Sequence, residues 1–69
     1  MIKCNLAVLL ADRKLRVADA ARGTGLSKTT LHKLYNEEST RIDFETMGKL
    51  CIFLDCTVCE LFELKKNNL

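Results

Sequence analysis

The chain contains no proline and no tryptophan, only three glycines and a single histidine. With so little Pro and Gly there is no linker-like or low-complexity stretch, and nothing divides the 69 residues into two units. A chain this short has room for one core and one binding surface. It also lacks any apolar run approaching the roughly 18 residues of a membrane span. Met1 to Leu10 holds one Lys and no small-residue cleavage site, so it does not read as a secretory leader. The expected location is cytoplasmic. No Ser/His/Asp set, paired-carboxylate pocket or phosphate-cradling Gly loop is evident, so an enzyme is not expected, nor a small-molecule substrate, cofactor or metal.

What is present is ordinary globular material, 48% hydrophobic and 29% charged, which excludes disorder on composition. A core of this size rarely supplies more than about 3 to 5 kcal/mol, so well-capped helices or a partner subunit must help. The net charge of +2 hides an asymmetry: residues 1–34 carry +5 and residues 35–69 carry −3. A basic half of this kind suits a surface that meets an anion.

Every segment reads as helical. Asn5 can cap a first helix to about Arg13, with Leu6, Leu9 and Leu10 as its buried stripe. A second helix is expected over Val17–Thr24, where Ala20 and Ala21 let a neighbouring helix approach closely. Gly25 can take the left-handed conformation that ends it. Gly23 has no account in the sequence. Ser27 should cap a third helix, about 28–36, with Leu31, Leu34 and Tyr35 on one side and Thr29, His32, Lys33 and Asn36 on the other. Asn36 is the expected left-handed exit. Asp43 should cap a fourth helix, Phe44 to about Leu54, with Phe44, Met47, Leu50, Cys51 and Leu54 in its apolar stripe. Thr57 and Glu60 form a capping box for a fifth helix carrying Leu61, Phe62 and Leu64, and residues 65–69 read as a frayed tail.

Two helices joined by a tight turn, the first small-faced and the second polar-faced, can place the second in the major groove of DNA. Lys28 and Lys33 could donate to guanine or phosphate, Thr29 to a base edge, and Asn36 to phosphate. Polar outer faces are also the rule for surface helices, so an ordinary helical bundle remains the competing reading.

The run Ala21-x-x-x-Gly25-Leu26-Ser27, continuing through Thr30-Leu31 and Leu34-Tyr35-Asn36, resembles the helix-turn-helix of the phage repressor/Cro (XRE-type) family. The likeness extends to Ile42-Asp43-Phe44-x-Thr46-Met47, to Leu50-Cys51-x-x-Leu54-Asp55-Cys56 and to Glu60-Leu61-Phe62. It implies an all-α, compact five-helix bundle of the phage-repressor type and a sequence-specific, phage- or prophage-like regulator of transcription. The helix-turn-helix would occupy about 17–36. Lys28, Thr29 and Lys33 match base-reading positions, and Asn36 and Arg41 match positions that hold the phosphate backbone. Arg16 could reach a phosphate, and His32 falls on the outer, DNA-edge face. Two features depart from the family pattern: Val17 stands where Gln is frequent, and Glu37-Glu38 stand where Gly and basic residues are common. The resemblance also implies a homodimer on double-stranded DNA, with half-sites about 34 Å apart. Without DNA, the alternative is a protein-interaction module such as an antitoxin or anti-repressor partner.

Cys56-x-x-Cys59, with Cys51 near it, has redox or metal spacing and supplies a further alternative, a thiol- or metal-responsive switch. Cys51 and Cys56 fall where the apolar pattern wants core residues, which favours packing.

Overall fold

The computed structural model describes residues 2–65. The described elements are β1 (Ile2–Cys4), α1 (Leu6–Asp12), α2 (Val17–Thr24), α3 (Lys28–Tyr35), α4 (Phe44–Leu54), α5 (Val58–Leu61) and β2 (Phe62–Leu64). The core is almost entirely leucine: Leu6, Leu9, Leu10, Leu31, Leu34, Leu50, Leu54 and Leu61 are buried with Ala20. Ala20 is the small contact expected of α2, which touches both α3 and α4. No helix among the described residues is long and apolar enough to cross a membrane.

The all-α expectation needs correction. The five helices are joined by a two-stranded antiparallel sheet in which Ile2 faces Leu64, Lys3 faces Glu63 and Cys4 faces Phe62. Helix α5 lasts one turn, and Phe62, at φ −125° and ψ 143°, already lies in extended conformation. Phe62 and Leu64 therefore continue as a strand, not a helix. Asn5 stitches the two ends of the chain together. Its N–H donates to Leu61 O at 2.7 Å, and its side-chain amide donates to Glu60 O at 3.2 Å and Glu63 Oε1 at 3.3 Å. It makes no side-chain cap on α1. The tail beyond Lys65, including Leu69, lies outside the described residues.

Three caps follow the sequence. Ser27 Oγ accepts the Thr30 N–H at 3.1 Å and Asp43 Oδ1 accepts the Thr46 N–H at 2.7 Å. Thr57 and Glu60 exchange bonds of 3.1 and 2.8 Å in their capping box. The helix C-termini are less conventional. Lys14, Glu37 and Asp55 all have positive φ, near 51° to 57°. Each closes a reversed turn of the Schellman type. The N–H after it returns to the helix in the bonds Leu15 N–H to Leu10 O, Glu38 N–H to Lys33 O and Cys56 N–H to Cys51 O. Glu37 thus takes the exit expected of Asn36, whose φ is −89°.

Glycine plays two opposite parts. A Cβ on Gly23 would stand 2.1 Å from the Phe53 ring, which explains a residue the sequence left without a reason. In α4, a Cβ on Gly48 would meet nothing within 4 Å. Gly48→Ala should stabilise the dilute protein by about 0.5 to 1 kcal/mol through helix propensity. A thermal melt would read this as a higher Tm, and a lower one would show the site to be crowded.

Candidate nucleic-acid interface

The turn between α2 and α3 is held by local bonds. Gly25, at φ 77°, donates its N–H to Ala21 O at 2.9 Å. Thr24 Oγ1 donates to Ala20 O at 2.6 Å and accepts the Leu26 N–H at 3.1 Å, so one hydroxyl fastens both sides of the turn. Leu26 is half-buried against the core, and Leu31 and Leu34 anchor the inner side of α3. The angle between the two helices is thereby set by backbone and leucine. Among the described residues, no side-chain hydrogen bond or ion pair engages Thr29, His32, Lys33 or Asn36 on the polar face of α3.

That face is arranged in rows. At 100° per residue, Thr29, Lys33 and Asn36 recur at i, i+4 and i+7 and form the central row. All three are exposed. Along one edge, Lys28, His32 and Tyr35 share an open cleft of 460 Å³ with Arg16, Val17 and Leu15 at the start of α2. Along the other edge, Thr30 and Leu34 line a groove of 310 Å³ with Ser39, Arg41 and Ile42. Helix α3 therefore lies between two concavities, each with an arginine at its wall.

Arg16 keeps its head group exposed even though its backbone N–H is taken by Asp19 Oδ2 at 2.9 Å, which closes the first turn of α2. Arg22 pairs with the other Asp19 oxygen. Arg13 belongs to the scaffold: its Nε donates to Leu54 O at 2.8 Å and its Nη1 to Leu9 O at 3.3 Å, so it caps the end of α4. Of the basic junction Arg13-Lys14-Arg16, Arg16 is the arginine left facing the cleft.

Helical spacing puts Tyr35 on the inner face, but it is 41% exposed and lines the Arg16 cleft. The signal for it was present, since Lys28, His32 and Tyr35 are also an i, i+4, i+7 set. Phe44, counted in the α4 stripe, is 88% exposed and outside the core. Val17 is half-buried against the core, which accounts for an apolar residue at that position. Glu37 and Glu38 are exposed just beyond Asn36, and Glu37 Oε1 accepts the Cys4 N–H at 3.3 Å.

The thiols pair differently from the Cys56-x-x-Cys59 spacing. Cys56 lies beside Cys51, its backbone N–H donating to Cys51 O at 3.0 Å, and burial, followed by the neighbouring Cys51 and Glu60, pushes the Cys56 thiol up to about 11. Cys59 is exposed. A thiol held protonated at neutral pH is a poor nucleophile and a good packing group, and Cys51 and Cys56 fill the contact that closes the α4 cap. Among the described residues, no group of three or more His, Cys, Asp and Glu is placed to hold a metal ion.

Comparison with curated proteins finds no match. The family model of the Cro/C1-type helix-turn-helix DNA-binding domain matches residues 5–67, which takes in α1 to α5, the turn at Gly25 and both clefts beside α3, and the chain belongs to that DNA-binding family.

Proposed function

We propose that the chain is a single-domain, sequence-specific transcription regulator, phage- or prophage-like and cytoplasmic, that reads the major groove with α3 and binds as two copies. The observation that carries this reading is the flanking of one polar helix by two arginine-walled concavities. A major groove about 12 Å wide is bounded on each side by a phosphate strand. Arg16 and Arg41, on opposite edges of α3, are where those strands would run. Thr29, Lys33 and Asn36 in the central row face the base edges or, for Asn36 at the helix end, the backbone. Lys28 and His32 border the Arg16 cleft and serve the near strand or the nearest base.

The test is a titration of a random and a selected duplex at several salt concentrations. Each phosphate contact adds about 0.9 to the slope of log K against log salt. Arg16→Ala and Arg41→Ala should each lower that slope by about 1 per copy and weaken all sequences alike. Absence of binding even at low salt would sink the DNA reading and leave the protein-interaction module as the better one.

The acids after α3 make a second expectation. Glu37 holds a left-handed conformation that glycine adopts without cost, while its carboxylate stands near the proposed phosphate path. Glu37→Gly should raise stability by about 1 kcal/mol, less the weak bond to the Cys4 N–H. It should also tighten DNA binding at low salt. Melting and the same titration read the two effects separately, and an unchanged complex would place Glu37 away from the DNA.

A further inference from the structure

Two of the largest uncovered apolar side chains lie on one helix. Phe44 is 88% and Ile52 83% exposed, one turn before and one turn after Gly48 in α4. At i, i+4 and i+8 the three form a single row on the outer face. None of them lines the clefts beside α3, so the DNA reading leaves them unused. Glu45 and Lys49 border the row on one flank, their charged groups 3.8 Å apart.

We infer that this row is where two copies of the chain meet, with their α4 helices packed antiparallel about a two-fold axis at Gly48. The inference rests on the two-copy reading above and names its surface. An isologous contact must be complementary to itself. A two-fold at Gly48 sets Phe44 of one copy against Ile52 of the other, and open space at Gly48 lets the two backbones approach at the crossing. The same axis brings the Glu45 and Lys49 flanks of both copies to one side of the contact. With a rise of 1.5 Å per residue, Glu45 lies about 4.5 Å from the axis and Lys49 of the second copy about 1.5 Å from it in the same direction. The two are then about 3 Å apart along the helix and can pair across the contact. A parallel two-fold would carry the two Glu45–Lys49 flanks to opposite sides of the contact, where they could not pair with each other. An unrelated partner would need no such self-complementarity, and that favours a second copy.

One Phe and one Ile from each copy, with their flanks, bury less than the roughly 1,200 Å² of a stable specific interface. The free protein is therefore a weak dimer, and a duplex with two half-sites assembles it through effective concentration.

Sedimentation equilibrium of the full chain without DNA tests this, from roughly 10 μM to 1 mM, in reductant so that the exposed Cys59 forms no intermolecular disulfide. Association should rise with concentration. Ile52→Glu and Gly48→Leu should each weaken it at least about tenfold with the helical circular dichroism retained, since both positions face open space. Glu45→Lys should weaken it, and adding Lys49→Glu should restore it, a recovery that a purely intrahelical role would not give. A monomer throughout the range would overturn the proposal, and so would association that Ile52→Glu and Gly48→Leu leave unchanged. Because no DNA is present, either failure leaves the DNA reading standing. Loss of duplex binding with association intact would fail that reading alone.

Discussion

Lys33→Ala is expected to weaken binding to the preferred duplex by about 1 to 3 kcal/mol, or roughly 5- to 150-fold, and to flatten the preference among sequences. Lys33 stands in the central row of α3, between the Arg16 cleft and the Arg41 groove, and its side chain is exposed. No hydrogen bond or ion pair holds its ammonium among the described residues, so none has to be broken for it to reach a base. The neighbouring Thr29, one turn earlier, is equally unengaged by its side chain. Removing Lys33 should leave stability within about 0.5 kcal/mol, because Ala is at least as good a helix former as Lys and no packing is lost. The comparison that decides the role is between sequences. A loss confined to the preferred site makes Lys33 a base reader; an equal loss on every duplex, with the salt slope lowered by about 1, makes it a phosphate contact.

The helix-turn-helix was legible in the sequence because its determinants are local. Ser27 caps, Gly25 turns and the leucines repeat at helical spacing, and each of these acts within one or two turns of chain. What was not legible depends on partners distant in sequence. The sheet needs Ile2–Cys4 and Phe62–Leu64 at once, and neither three-residue segment is a strand by itself. Asn5 looks like a cap from its neighbours, yet its amide is claimed by Glu60 and Glu63 more than fifty residues away. Asn36 has the better left-handed propensity, but Glu37 takes the position because the Glu38 N–H closes on Lys33 O at 2.7 Å. Phe44 shows the limit of periodicity as a guide. Its spacing from Leu50, Cys51 and Leu54 allowed a core place, while the structure puts it beside Gly48 and Ile52 on the outer face. For the candidate site, the residue types and their helix were readable; the two clefts that separate Arg16 from Arg41 were not, because each is built from more than one element.

The same substitution that should stabilise α4 at Gly48 should do the reverse in α2. Gly23→Ala would place a Cβ 2.1 Å from Phe53 Cε1 and 2.4 Å from Cδ1, distances that cannot persist. The obstacle is an aromatic ring half-buried against the core, with little freedom to swing aside. Either the ring leaves its place or α2 moves away from α4. Overpacking of this kind costs about 1 to 3 kcal/mol, against a helix-propensity gain of roughly 0.5 to 1 kcal/mol. The net expectation is a loss of stability, read by denaturant unfolding as a lower midpoint. Phe53→Leu should cost stability alone but recover part of the loss when combined with Gly23→Ala, since the two residues share one contact. Simple additivity of the pair, or a neutral Gly23→Ala, would show that the ring yields freely. If it does not yield, the spacing of α2 and α4 is fixed by the meeting of Gly23 with Phe53. The turn at Gly25 then starts from a fixed position, and α3 is set at an angle that no residue of its own polar face determines.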